Sequence, residues 1–366
     1  MGFAFIKHDT QIDFIGWRHW AYGISIVLLL AGLASALWGN GLKMGIDFAG
    51  GVIVQVQFDK PVNDEALKKS LDIPALPGIT TQRFGEGGRD YLLRFSSAEN
   101  ADASALRTNV VNALASAFPD NAAQILRLEV VGPKVGDDLT NKALSALYYA
   151  VLLIAVYISG RFEQRWMAGA IMAAALWGGM YVLSFTGLGM GWLVLFALAI
   201  TMVVCFFLKL NFALGAVVGL LHDVFITAGL LSIMDVEIDL NVMAALLTLV
   251  GYSLNDTIIV YDRLRENLRA APKVDLASLI NRSINQTLSR TILTSGTTFV
   301  ATLSLFLLGG GVIHDFALTM LIGVFIGTAS SIYVSSAILL GLGDTDFYVR
   351  AQEKEKYERP GEHGVV

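Results

Sequence analysis

The strongest constraint on this chain is the stretch from Ala143 to Leu342, which is apolar apart from short polar turns and one longer basic segment. Runs of about 20 apolar residues match the hydrocarbon thickness of a bilayer, and a helix crosses it because all its backbone N–H and C=O groups pair within the segment. The breaks divide the stretch into seven spans, at about 143–159, 166–186, 191–208, 212–234, 239–261, 288–308 and 316–342. An eighth apolar run, about 21–37, stands apart near the amino terminus, after Lys7 and Arg18. It ends in Ala34-Ser35-Ala36, the outline of a cleaved secretory signal. A signal core is only about 7–15 residues, however, so the run reads as an uncleaved first span. Composition agrees with this picture: 55% of residues are hydrophobic and 16% charged, where a soluble domain is about 25% charged. Mean hydropathy is +0.60.

Between the first span and the rest, about 39–142, lies a segment with the pattern of a water-soluble domain. Val52 to Phe58 alternates as a strand, and Asn63 to Asp72 reads as a short amphipathic helix with Asn63 as its N-cap. Strands follow at about 79–84 and 91–95, then a helix at about 103–117 stopped by Phe118-Pro-Asp-Asn121, then a strand at about 124–131. The order β-α-β-β-α-β is the ferredoxin-like arrangement. The fold class expected is therefore an α-helical polytopic membrane protein of about eight spans with one ferredoxin-like α+β domain outside the membrane. In domain terms, 1–38 is the amino terminus and first span, 39–142 the outer domain, 143–343 the membrane domain and 344–366 a tail.

No enzymatic or cofactor signature accompanies this. Gly85-Glu-Gly-Gly88 reads as a hairpin turn, because no Gly-Lys-Ser/Thr follows and no helix starts there. The single cysteine, Cys205, excludes an intrachain disulfide and a multi-cysteine metal site, and sits in an apolar run as a small hydrophobe. No cofactor, no metal and no nucleic-acid partner are expected, and the chain does not read as an enzyme.

Lys and Arg positions orient the spans. Lys7 and Arg18, Arg161 and Arg165, Lys209, the segment carrying Arg263, Arg265, Arg269, Lys273 and Arg282, and the tail with Arg350, Lys354, Lys356 and Arg359 all fall on one side. The loops near 187–190, 235–238 and 309–315 hold no Lys or Arg and carry Asp235, Glu237 and Asp315. Both termini are thus expected in the cytoplasm and the domain outside. Trp166 to Trp177 also resembles Phe212 to Asp223, each after an apolar span and a short basic turn, which points to a copied hairpin or to coincidence between Ala/Gly-rich spans. In that register Leu176 and Trp177 stand where His222 and Asp223 stand.

A charge at the bilayer centre costs about 2.5–3.5 kcal/mol on insertion scales, so polar groups there are paired or line a polar path. His222-Asp223 lies about mid-span and reads as a proton-titratable group or as a neutral acid bonded to a neighbouring helix. Asn255, Asp256 and Thr257 lie in the last third of their span. Arg290, just inside the next span, is expected at similar depth, either paired with Asp256 or anchored at lipid headgroups. Thr291, Thr294, Ser295, Thr297 and Thr298 make that span hydroxyl-rich.

Four stretches then carry a family resemblance: Gly45-Ile-Asp-Phe-Ala-Gly-Gly51, Val131-Gly-Pro-Lys-Val-Gly136, the segment from Gly251 to Asn267, and Thr287 to Thr298. The chain resembles SecF, of the paired SecD/SecF membrane subunits of bacterial protein export. The resemblance implies half of an RND-type unit in the inner membrane, with the outer domain in the periplasm. It implies a SecD-like partner, the SecYEG channel and accessory Sec membrane proteins as neighbours, exported polypeptide as substrate, and use of the proton-motive force. Carried over by motif, Asp256, Asn255 and Arg290 match intramembrane residues tied to proton coupling, and His222 and Asp223 match a recurrent His-Asp pair. Gly45, Asp47, Gly50 and Gly51 match the family's glycine motif. One departure stands out: the resemblance implies six spans, and about 162–207 supplies an additional hairpin. An RND-type exporter of small molecules or lipids is the alternative reading.

Overall fold

The computed structural model of the chain describes residues 10–39, 41–71, 76, 79–84, 87–95, 103–163, 166–185, 187, 189–271 and 274–343. The tail expected at 344–366 lies outside the described residues, as do Lys7, Arg165, Lys273 and the Gly85-Glu86 half of the glycine turn.

The outer domain has the order read from the sequence. After α1 (Arg18–Trp38) and the single turn α2 (Ile46–Ala49) come β1 (Gly51–Phe58), α3 (Asp64–Leu71), β2 (Thr80–Phe84), β3 (Asp90–Phe95), α4 (Ala103–Ala117) and β4 (Ala123–Val131). The sheet order is β2-β3-β1-β4 with every pair antiparallel, the ferredoxin-like arrangement. Strand alternation sends Val52, Val54, Val56, Tyr91, Leu93 and Phe95 to one face, where they pack with Leu67 and Leu71 of α3 and Val110 and Leu114 of α4. The Asn63 side chain accepts from the backbone of Glu65 at 2.9 Å and so caps α3. Among the described residues the opposite sheet face carries no helix of the domain, and it includes Arg94.

The rest is helical: α5 (Pro133–Glu163), α6 (Trp166–Ser184), α7 (Met190–Phe207), α8 (Asn211–Ile233), α9 (Leu240–Ala270), α10 (Leu276–Leu308) and α11 (Gly311–Ser330). A π-helical turn, Ser331–Ser335, joins α11 to α12 (Ser336–Leu342). β4 passes straight into α5 through Gly132, with Pro133 at the first helical position, where its missing N–H has no partner to lose. The basic segment after the fifth predicted span is largely helical, because α9 and α10 both run past the expected ends of their spans. Leu264 and Leu268 on α9 and Leu279, Ile280 and Ile284 on α10 continue the apolar stripe and are buried. The turn between them ends at Asp275, whose carboxylate accepts from Ser278 N at 3.3 Å to start α10.

Among the described residues seven helices are long and apolar enough to cross a membrane, one fewer than the eight spans expected. The remaining candidate is the shorter apolar stretch Met167–Gly179 within α6. Packing between α1 and α8 bears on this count. Ser25 meets His222 and Ser35 meets Ser232, both at a separation of 197 residues, so the two helices run parallel. Parallel helices require an odd number of crossings between them, and α5, α6 and α7 supply three. α6 therefore serves as a crossing, joined to α5 and α7 by short connections that make it antiparallel to both.

Candidate functional site

Two buried polar networks lie in the membrane region, both touching α9. In the first, His222 Nδ1 is 2.8 Å from Asp223 Oδ1, and His222 Nε2 is 2.8 Å from Ser25 Oγ of α1. Ser253 of α9 donates to the other carboxylate oxygen of Asp223, so both oxygens are engaged. Asp223 is 1% exposed. Gly327 of α11 closes this site from the far side: a Cβ there would stand 3.0 Å from Ser253 Cβ and 3.5 Å from Asp223 Oδ2.

The second network centres on Asp256, which is 2% exposed. Ser295 of α10 donates to its Oδ2 at 2.9 Å, and the Thr294 hydroxyl is 3.4 Å from its Oδ1. Ser295 Oγ in turn lies 2.8 Å from Thr328 Oγ1 of α11. The hydroxyls thus tie α9 to α10 and α11 through one carboxylate. Ser253 and Asp256 are three residues apart on α9, about 4.5 Å of helix rise. Among the described residues no hydrogen bond joins the two networks. Most other α10 hydroxyls are satisfied locally: Thr297, Thr298 and Thr302 each donate to the carbonyl four residues back.

The ion pair expected between Asp256 and Arg290 is absent. Asp256 takes hydroxyl donors instead, and Arg290 is exposed, within electrostatic reach of the carboxylate but not bonded to it. The physical reason is rotation: Ser295 and Thr291 of α10 are buried toward α9 and α11, while Arg290 falls on the next face of the helix. Asn255 is likewise exposed on α9. Thr248 of α9 and Thr297 of α10 are exposed polar residues as well, so each of the two helices presents polar groups on the outside of the bundle.

The glycine motif lies at the joint between outer domain and membrane helices. Gly45 N donates to Ile238 O at 2.8 Å and Ile238 N to Lys43 O at 2.8 Å, a short parallel bridge to the α8–α9 connection. Asp47 Oδ2 accepts from Leu240 N at 3.0 Å while Asp239, the N-cap, accepts from Val242 N at 2.8 Å, so two carboxylates serve the outer end of α9. Phe48 is buried with Leu231, Ile238, Val242, Met243 and Leu246. Gly50, at φ 74°, permits close approach to Pro133: a Cβ there would be 3.0 Å from Pro133 Cα. Gly51, at φ 139°, crosses close to Phe95 O, and a Cβ on Gly136 would be 2.5 Å from Phe48 O. The two outer motifs of the sequence are therefore halves of one joint.

Ser25, Thr328 and Arg94 went unremarked in the sequence. A lone hydroxyl in an apolar run gives little signal, and Arg94 reads as one more charge on a strand. In space Arg94 of β3 forms an ion pair with Glu237 of the α8–α9 connection, its side chain 15% exposed. Burial lowers its guanidinium from the ordinary value, and Asp315, Asp239 and Asp47 oppose that through space.

Comparison with known proteins places this arrangement. The family model described as protein export membrane protein SecD/SecF, C-terminal, matches residues 110–189 and again 185–345. The SecD/SecF GG motif matches 35–62. The protein translocase subunit SecF of Vibrio alginolyticus is 35% identical over 356 residues, covering 97% of each chain. That of Escherichia coli O157:H7 is 37% identical, covering 96% of this chain and 94% of its own. The crystal structure of SecDF from Thermus thermophilus, a translocon-associated membrane protein, matches with a TM-score of 0.67 at 30% identity. It covers 92% of this chain, which spans 39% of the SecDF chain. A second SecDF structure, in a super-membrane-facing form, matches with a TM-score of 0.52 at 31% identity, covering 95% of this chain and 40% of its own. With family models matching 35–62, 110–189 and 185–345 and SecF relatives 35–37% identical over nearly the whole chain, the chain belongs to the SecD/SecF family of protein-export membrane proteins, as a SecF.

Proposed function

We propose that this SecF is a proton-coupled half-transporter that pairs with a SecD-like subunit beside the SecYEG channel and assists export of polypeptides, with Asp256 as the proton-carrying group. The observation that carries this reading is the setting of Asp256. It is a buried carboxylate at membrane depth, held by hydroxyls of α10, with Thr328 of α11 bonded behind Ser295, and it has no ion pair among the described residues. Its charge costs about 2.5–3.5 kcal/mol at the bilayer centre on insertion scales. A charge crossing 100 mV is worth about 2.3 kcal/mol, a bias of about fifty-fold. The two magnitudes are comparable, so a membrane potential suffices to move the occupancy of such a site. Loss or gain of the proton alters what Ser295 and Thr328 bond to, and with it the packing of α9 against α10 and α11.

The exposed side chains of Asn255, Arg290 and Thr297 support a partner, since polar groups at this depth are costly against lipid. The relatives' naming as SecF subunits and the longer SecDF chain point to SecD as that partner. The distribution of Lys and Arg supports cytoplasmic termini and a periplasmic outer domain in the bacterial inner membrane. In this reading the protein performs no covalent chemistry. An exporter of small molecules is disfavoured because one outer domain and one bundle leave a substrate cleft between comparable halves to be supplied entirely by another chain.

The test is export into inverted membrane vesicles with ATP, with and without a proton-motive force. Asp256→Asn should lose the force-dependent stimulation, at least tenfold, and keep co-purification with SecD. Full stimulation in that variant contradicts the proposal.

A further inference from the structure

Arg94 is a largely buried cation at the joint, paired beside the outer end of α9 and within electrostatic reach of the outer end of α11. Glu237 and Asp239 precede α9, and Asp315 lies in the first turns of α11. Asp47 belongs to the chain segment that leads into the sheet and is bonded to the start of α9. The cation comes from β3, on the sheet face that carries no helix of the domain among the described residues, so it reports to the body of the outer domain rather than to its hinge segment. The other charged or titratable groups near these acids are His314, whose ring nitrogen is 3.2 Å from Asp315, and Lys43, paired with Asp235. Arg94 is thus paired with Glu237 and lies within electrostatic reach of Asp315, Asp239 and Asp47, and its Nε is buried with no hydrogen-bond partner among the described residues. A cation with a spare donor among several acids exchanges partners at little cost, because each exchange keeps it paired.

The same helices meet a second time deeper in the membrane, in the last third of the α9 span. There Asp256 of α9 is bonded to Ser295 of α10, which touches Thr328 of α11. A shift of α9 along α11 at that level changes the spacing of Glu237 and Asp239 against Asp315 at the outer end, since each helix is continuous between the two levels. We propose that Arg94 is the transmitting residue of this protein: it senses the offset between the outer ends of α9 and α11 and converts it into a tilt of the outer domain. The role rests on the proton-coupling reading of Asp256 and adds to it the residue through which the membrane event reaches the domain. The hinge at Gly45–Gly51 permits the tilt, and Arg94 sets its direction.

The experiment is a double-mutant comparison of domain position. Spin labels go on cysteines replacing Asp120 in the outer domain and Met234 at the membrane rim, with Cys205→Ala, in the complex with SecD in lipid nanodiscs. Label distances are measured in the otherwise unsubstituted chain, in Asp256→Asn as a mimic of the protonated acid, in Arg94→Gln, and in both together. The expected result is a distance shift on Asp256→Asn that vanishes in the Arg94→Gln background and returns with Arg94→Lys. A shift of the same size in the Arg94→Gln background overturns the transmitting role and leaves proton coupling intact. No shift on Asp256→Asn in the unsubstituted background overturns the coupling reading itself, and the transmitting role with it. Co-purification of Arg94→Gln with SecD, together with a sharp distance distribution in Arg94→Lys, separates lost transmission from lost folding.

Discussion

Asp256 depends on two α10 hydroxyls whose geometry differs: Ser295 donates at 2.9 Å, whereas Thr294 is 3.4 Å away and bonded to its own helix at 3.0 Å. Ser295 is therefore the donor that matters. Leaving a buried acceptor without its donor costs about 1–3 kcal/mol, more when it is charged. Ser295→Ala is expected to lower force-dependent export about tenfold while Thr294→Val lowers it less than threefold, as measured in the same vesicle assay; equal effects would contradict the ranking. Much of this site is legible in the sequence because a carboxylate in an apolar span is conspicuous. What the sequence does not carry is rotation about the helix axis. Asp256 and Arg290 lie at matched depth by residue count, yet Arg290 turns outward and a serine five residues on takes its place. A strip of hydroxyls gives no hint of which one points inward, because most of them bond to their own backbone.

At the scale of elements, the contact between α1 and α8 holds the His222 network together. Gly32 and Gly229 face each other so closely that a Cβ on Gly32 would stand 2.7 Å from Gly229 Cα. Small residues of this kind let two membrane helices approach closely enough for Ser25 to reach His222 and Ser35 to reach Ser232. Gly32→Val must push the helices apart. A cysteine pair at Ser35 and Ser232, whose hydroxyls are 2.9 Å apart, should oxidise readily in the native background and lose most of its yield with Gly32→Val. Undiminished crosslinking would show that the helices absorb the added volume elsewhere. The outer domain was readable element by element, since alternation fixes the strands and Asn63 marks a helix start. The extra hairpin was readable as apolar sequence, but its facing was not. Leu176 is buried and Trp177 is 76% exposed, whereas Asp223 at the matching position of α8 is buried. The two similar helices turn different faces to the bundle: among the described residues α8 packs against α1, α5, α7, α9 and α11, while α6 packs chiefly against α5 and α7.

For the whole molecule, the parallel run of α1 and α8 fixes an even-handed alternation of spans that sequence hydropathy alone leaves open at α6. In the proposed orientation, a cysteine replacing Asp120 should react with an impermeant maleimide in spheroplasts, and one replacing Arg263 only after the membrane is opened. Reversed labelling would invert the assigned orientation. The larger architecture then divides labour: a sheet outside, a joint of two glycine motifs at the surface, and one helix, α9, that reaches from that joint to the buried carboxylate. Because α9 carries both Asp256 and the capped end that Asp47 binds, motion at one end is felt at the other. The most direct test of the account is proton flux into proteoliposomes holding the chain and its SecD partner during translocation under an imposed membrane potential. The account predicts translocation-dependent flux in the native protein that falls to the leak of empty liposomes with Asp256→Asn; native-level flux in that variant would contradict it.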